Sequence, residues 1–356
     1  MSGSTKPQRA EAPLFPFTRK YLGSKRLLRG WIADTIHERA GIPGSFLDGF
    51  SGTGSIAFEV ALRGAGSVWA VDNLLSNGII LRGFFRQRPE AERERLLRLL
   101  GALNECLPVR GYIFESFAGS YFTAENCARM DAAREEIRRM GDRGEISPGE
   151  ETYLLACFLL AADRVANTLG QYDAFLKNID GENRAGGRHL RDQRVSSPFR
   201  LKALAPWTGG RVDVIVGDME ELAQSIPVEV AYYDPPYNGR QYCSNYHVLE
   251  NLARWEKPAL RGKTRKFDCT GLRSRFSSRS AAAAALRSLM DGTRARHVFL
   301  SYSSEGILSR GEILDTLTAL GDAHLREFEY PVFGNGAGVS VKRNVTEYLF
   351  HLRKRE

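Results

Sequence analysis

The chain predicts an α/β fold: a mostly parallel sheet flanked by helices and interrupted by a mostly helical insertion. Three observations predict it. Residues 46–72 run from a short apolar stretch through a Gly-rich turn and an apolar-faced helix to a second apolar stretch. That is a β-α-β unit, which calls for parallel strands with helices on their faces. The same alternation returns over 212–233, and between the two the periodicity is mainly helical.

The elements follow in order. Residues 1–15 begin with a polar run and no hydrophobic signal core, so they read as a flexible tail. Lys20-Tyr21-Leu22-Gly23-Ser24-Lys25 leads into a helix that ends before Gly41 or Pro43. A strand spans 46–50, Gly52-Thr53-Gly54-Ser55 forms a tight turn, and Ile56, Val60 and Ala61 share one helix face. A second strand, 68–71, stops at Asp72. Helices fill 74–140 with a break at 108–120, and another covers 152–169. Polar, basic residues 170–206 break the pattern. Strands follow at 212–216 and 228–233, the latter ending on Asp234-Pro235-Pro236-Tyr237. Residues 261–279 hold seven Lys or Arg against the single acid Asp268, and read as a mobile basic loop. A helix over 280–290, a strand over 297–302, a helix over 312–320 and strands over 325–332 and 346–352 complete the chain, with a Gly-rich loop at 334–338. The expected domains are a catalytic unit made of 16–90 and 206–356, and an insertion at 91–205.

Composition narrows the function. The 356 residues are 43% hydrophobic and 26% charged, as in ordinary globular proteins. A net charge of +8 favours an anionic partner such as nucleic acid, although a generically basic protein has the same balance. No apolar run approaches a membrane span. The six histidines lack ligand spacing, so no metal site is expected. Cys106, Cys127, Cys157, Cys243 and Cys269 lie far apart without a C-x-x-C pair and read as reduced thiols of a cytoplasmic protein.

Two segments carry chemistry. Asp234-Pro235-Pro236-Tyr237 ends a strand, where open α/β sheets bind ligands. Proline lacks an N–H and biases its predecessor toward extended backbone, so this turn offers carbonyls, a carboxylate and a ring. Those groups suit an amino group on a planar heterocycle; a Pro-rich structural turn is the plain alternative. Gly52, Gly54 and Ala57 fit G-x-G-x-x-A, a nucleotide-binding turn that NAD shares. Asp72 is placed for ribose hydroxyls, and Asp218 for an adenine; either also suits a helix N-cap.

Together these pieces resemble the Dam-type, class alpha family of adenine-N6 DNA methyltransferases. The resemblance rests on Lys20 to Lys25, on Asp48-Gly49-Phe50-Ser51-Gly52-Thr53-Gly54-Ser55, on Asp72 and on the Asp234 to Tyr237 motif. Leu300-Ser301-Tyr302-Ser303 and the C-terminal hairpin agree more loosely. One departure is Gly23-Ser24-Lys25, where the family often has Gly-Gly-Lys.

The resemblance implies a Rossmann-like methyltransferase sheet with a C-terminal antiparallel hairpin and a helical target-recognition insertion. It implies S-adenosylmethionine as cofactor, held by Tyr21, Lys25, Asp48, Phe50, Gly52, Gly54, Asp72, Asp218 and Met219, with Lys25 reaching the methionine carboxylate. Asp234, Pro235, Pro236 and Tyr237 are the implied catalytic residues. Tyr237 would stack on a flipped base, and Tyr242 and Tyr246 follow on the same loop. Arg184, Arg188, Arg191, Arg194, Lys263, Arg265, Lys266, Arg273 and Arg275 are the implied contacts to double-stranded DNA. A cognate restriction endonuclease is a further partner the family allows. Cytosine-N4 methylation remains open, with Asp rather than Ser at position 234 leaning toward adenine. Methyltransferases of RNA or of protein glutamine, a nicotinamide dehydrogenase and a non-catalytic nucleic-acid-binding module are weaker readings.

Overall fold

The structure is a computed structural model and describes residues 13–176, 179, 193–336 and 339–355. In chain order the elements are α1 (Arg29–Ala40), β1 (Ser45–Gly49), α2 (Ser55–Leu62), β2 (Ser67–Asp72), α3 (Leu75–Phe85), α4 (Glu90–Asn104), α5 (Tyr112–Phe117), α6 (Ala124–Asp142), α7 (Pro148–Val165) and α8 (Gln193–Ser196). Then come β3 (Val212–Val216), α9 (Met219–Leu222), β4 (Val230–Tyr233), α10 (Tyr242–Arg254), α11 (Ala282–Gly292), β5 (His297–Ser303), α12 (Arg310–Thr318), β6 (Gly321–Gly336) and β7 (Val339–Lys354).

The seven strands form one sheet in the order β3-β2-β1-β4-β5-β7-β6. The first five are parallel; β7 runs antiparallel to β5 and pairs with β6 as a hairpin. This is the α/β sheet with C-terminal hairpin that the sequence predicts. Strand order reverses beside β1, so a crevice opens outside the carboxyl ends of β1 and β4. Gly49 is level with Val71 on one side and Tyr233 on the other. The glycine turn, Asp72 and Asp234 therefore leave the sheet at one edge.

Alternation along the strands builds two cores. Phe46, Val68, Ala70, Val230, Tyr232 and Phe299 face a cluster shared with α1, α2, α3 and α10. Leu47, Val71, Ala231, Tyr233, Val298 and Leu300 face α9, α11 and α12. A period of two along each strand is what a sheet covered on both faces requires. Helices α4, α6 and α7 join the first cluster, with α7 packed on α3 and α6. The insertion thus continues one core rather than forming a second.

Several expectations are corrected. Leu14 of the expected tail is docked: its N–H donates to the Ala203 carbonyl at 2.9 Å, and its carbonyl accepts from the Ala205 N–H at 2.8 Å. Helix α7 starts four residues before 152 because Ser147 and Glu150 form a capping box, and it ends at Val165. The expected loop at 334–338 is shorter, since β6 continues to Gly336 and β7 resumes at Val339. Tyr242 and Tyr246 sit on helix α10, not on a loop. Cys243 and Cys269 form a disulfide with Cα atoms 6.2 Å apart. Their 26-residue separation hides the contact, which arises only when the segment after α10 folds back on its first turn. Among the described helices none is long and apolar enough to cross a membrane.

Candidate active site

A cleft opens at the carboxyl edge of the sheet. It is lined by Tyr21, Lys25, Asp48, Phe50, Gly52, Asp72, Asp218, Met219, Asp234 and Pro236, all singled out from sequence. Gly54, Pro235 and Tyr237 are not part of this lining. Leu272, Ser274, Asn73 and Tyr232 also line it, and sequence reasoning missed them; Tyr242, noted from sequence after Tyr237, lines it too. Leu272 and Ser274 lie in a polar, basic stretch whose charge was its only visible signal.

The glycine turn is held by its own backbone. The Ser51 N–H donates to the Val71 carbonyl at 2.8 Å, and the Gly54 N–H to the Ser51 carbonyl at 2.7 Å. Gly52 has φ +53°, and a Cβ there would stand 2.9 Å from the Tyr21 ring. Gly54 has φ +72° and would strike Leu81 at 2.6 Å. Only glycine combines positive φ with so close an approach. Phe50 also has φ +68°, a strained position for a bulky residue and one typical of functional turns.

Asp72 organises this turn. One oxygen accepts the Gly52 N–H at 2.8 Å; the other accepts the Leu74 N–H at 2.9 Å and the Asn77 amide at 3.1 Å. Each carboxylate oxygen has two lone pairs, so the capping role leaves acceptor capacity facing the cleft. Asp218 likewise caps α9 through the Glu220 N–H at 2.8 Å and lines the cleft.

Asp48 is buried beneath the turn and accepts the Ala57 N–H at 2.9 Å. Burial pushes its carboxyl up to about 8, with Asp234 and Asp72 adding to the rise and the Ala57 N–H opposing it. A folded-state value above the unfolded one means the native protein holds the extra proton. The stabilisation is complete below the ordinary carboxylate range and is lost as pH rises through about 8. We expect thermal stability to fall across that window, by at most about 1.4 kcal/mol per pH unit from this group. Asp48→Asn should flatten that slope in melts recorded from pH 6 to 9. An unchanged slope would remove Asp48 as its source.

Around Asp234 the charges are concentrated. The Lys25 ammonium donates to Asp234 Oδ1 at 2.7 Å and to the Gly23 carbonyl at 3.1 Å, and lies 3.3 Å from Glu347 Oε1. All three side chains are shielded, with exposures of 16% for Asp234, 5% for Lys25 and 2% for Glu347. Burial lifts the Asp234 carboxyl above its ordinary range; Lys25 opposes that and Glu347 reinforces it. Lys25, expected at a cofactor carboxylate, lines the cleft and is seated on Asp234 and beside Glu347. No sequence pattern pairs residues so far apart.

The segment carrying Lys25 is pinned to α10. The Leu22 N–H donates to the Tyr246 hydroxyl at 2.7 Å, and Tyr21 stacks on Tyr246 with centroids 4.4 Å apart. Tyr246 is therefore a packing residue. Tyr237 is half-buried, edge-on to Tyr302 at 6.1 Å, with Lys25 Nζ 5.8 Å from its ring centroid.

The basic stretch 261–279 is a wall of the cleft rather than a free loop. Ser274 and Gln241 exchange two hydrogen bonds at 2.7 and 3.0 Å, and the disulfide anchors Cys269 to α10. Lys266 is paired with Asp173 at 3.0 Å and Arg275 with Glu220 at 3.0 Å. Lys263, Arg265 and Arg273 are exposed. Arg194 lines a second groove with Arg19, Lys20, Arg164, Arg200, Lys202 and Asp163. Arg184, Arg188 and Arg191 lie outside the described residues.

Residues 21–315 match the family model described as D12 class N6 adenine-specific DNA methyltransferase. The chain is 30% identical over 351 residues to the type II methyltransferase M.NlaIII of Neisseria lactamica, covering 94% of this chain and 99% of that protein. It is 27% identical over 353 residues to the modification methylase StsI of Streptococcus sanguinis, covering 94% of this chain but only 52% of that protein. The type II methyltransferase M.CviAII of Paramecium bursaria Chlorella virus 1 is 29% identical over 342 residues, covering 93% and 97%. The chain thus spans about half the length of the StsI methylase and nearly all of the other two. A match that runs from Tyr21, through the glycine turn and Asp234, to Asp315 means that the chain belongs to the D12 class of N6 adenine-specific DNA methyltransferases, enzymes that draw their methyl group from S-adenosylmethionine.

Proposed function

We propose that this chain transfers a methyl group from S-adenosylmethionine to the exocyclic N6 amine of an adenine turned out of double-stranded DNA, at a specific sequence. The observation that carries the reading is the placement of Asp234 in the same cleft as the glycine turn and Asp72. That lining holds three carboxylates, Asp72, Asp218 and Asp234, with the protonated Asp48 beneath the turn, against the single cation Lys25. Such a donor set fits a cationic, ribose-bearing ligand. The bound cofactor supplies a sulfonium methyl group, an electrophile the chain itself lacks.

The residues do the rest. Asp72 accepts from ribose hydroxyls, and the glycines let the backbone approach the ligand. Asp234 and the Pro235 carbonyl accept the two N–H bonds of the adenine amine. This holds a nitrogen whose lone pair is otherwise delocalised and turns that lone pair toward the methyl group. The Asp234 carboxylate then stabilises positive charge as it develops on nitrogen. Extruding a base costs roughly a few kcal/mol. Stacking on Tyr237, worth about 1–3 kcal/mol, offsets much of that. No strong base is required, because the alkylated amine loses its proton readily.

Exposed Lys263, Arg265 and Arg273, with the groove around Arg194, supply phosphate contacts; the insertion reads the bases. Relatives named type II and modification methylases support a cognate restriction endonuclease as genetic partner and work on the chromosome in the cytoplasm. Expressing the chain in a methylation-free host and mapping modified bases genome-wide tests the reading. N6-methyladenine at one recurring sequence is expected, whereas N4-methylcytosine or no modification would overturn it.

Two further outcomes are expected. Asp72→Ala should weaken S-adenosylmethionine binding by at least about tenfold, since a buried charged acceptor and the turn's anchor are both lost; calorimetry measures it, and unchanged affinity removes the role. Neutralising Lys263, Arg265 and Arg273 together should flatten the slope of log affinity for DNA against log salt by about 2–3. A slope equal to wild type returns these residues to plain solvation.

A further inference from the structure

The pair Lys25–Asp234 poses a problem that the fold itself answers. Taken alone, the ammonium 2.7 Å from Asp234 Oδ1 would spend that carboxylate's charge before any substrate arrived. Glu347 approaches the same ammonium. It is held on β7 opposite Ser303 of β5, is 2% exposed, and its Oε1 has no hydrogen-bond donor although Lys25 Nζ is 3.3 Å away. A buried, under-satisfied carboxylate oxygen beside a cation already bonded elsewhere is costly unless it has a use.

We infer that Glu347 is a positioning residue: it takes up the charge of Lys25 and receives its proton donor when Asp234 turns to the substrate amine. The three side chains carry minus, plus and minus, so the buried group keeps one net negative charge. That charge faces the place where the amine nitrogen becomes positive. Lys25 needs to close only the gap between 3.3 Å and a normal hydrogen bond to complete the exchange. Glu347 acts through Lys25 and does not itself touch the reacting atoms. The inference rests on the adenine methyltransferase reading.

The groups facing Asp234 are Lys25 before α1, Glu347 on β7, Asp48 on β1, Tyr232 on β4 and Tyr242 on α10. Only Glu347 is changed in the test. Glu347→Gln is expected to lower kcat by about tenfold to a hundredfold with little change in KM for DNA or cofactor. Because Glu347 raises Asp234, its loss should also move the acid limb of the kcat–pH profile to lower pH. A merely structural role would lower kcat and melting temperature while leaving that limb in place. Glu347→Asp keeps the charge at shorter reach, so it should lose activity several-fold with the limb unmoved. If the glutamine variant does not fold, wild-type kcat in the aspartate variant overturns the inference. If it folds, wild-type kcat or an unmoved acid limb does so. Carbon-13 titration of the Asp234 carboxyl in both chains gives a readout free of turnover. A wild-type chain that transfers no methyl group to adenine sinks the adenine reading, while the carboxyl shift still reports the pair.

Discussion

Asp234→Ala is expected to abolish methyl transfer, with kcat falling by at least about a thousandfold, while DNA affinity stays close to wild type. The size follows from what one preorganised charged group is worth at a reacting centre, about 10²–10³, to which the lost positioning of the amine is added. The fold should survive. Lys25 keeps its bond to the Gly23 carbonyl and its proximity to Glu347, so no buried cation is stranded. Asp234→Asn divides the two contributions, because it keeps an acceptor and removes the charge. Transfer of labelled methyl groups and a gel-shift titration measure the two halves of the expectation. Activity near wild type would falsify the assignment of Asp234, and lost DNA binding would show the variant to be misfolded.

Lys25→Met carries the largest expected cost in stability. Asp234 and Glu347 are then left buried with no cation between them. Removing one partner of a buried ion pair costs about 3–5 kcal/mol. The sign of its pH dependence follows from Asp234, whose carboxyl burial and Glu347 already raise. Without the ammonium that opposes them, it rises further. A folded-state value above the unfolded one adds stability at low pH that is lost as pH rises through it. The deficit of Lys25→Met should therefore shrink on acidification and be greatest at neutral and alkaline pH. Denaturant melts at pH 5 and 8 test this, and a deficit equal at both would separate Lys25 from the carboxylates.

The sheet was legible because its physics is local. Strands β1, β2, β3 and β4 are short apolar runs that end at Gly, Asp or Pro, and each was placed within about two residues. The glycine turn was legible for the same reason, since Gly52 and Gly54 are needed by backbone geometry the neighbouring residues impose. The end of β6 was misjudged because glycines in a hairpin read as a loop, while cross-strand pairing holds them in the ladder. Basic residues 261–279 were misjudged because charge marks what solvent sees, not what a disulfide and Gln241 tie down.

Sequence alone determined the order of strands and helices along the chain, the carboxyl edge at which the cleft forms, and the placing of Asp72 and Asp234 at that edge. Those follow from periodicity and from residues whose conformational limits act over a few positions. Tertiary structure alone decided that Lys25 sits between Asp234 and Glu347, which are separated from it by 209 and 322 positions, and that Leu272 and Ser274 close the cleft. Such contacts depend on which strands become neighbours. That choice is made by burying both faces of the whole sheet at once, and no local stretch of the chain encodes it.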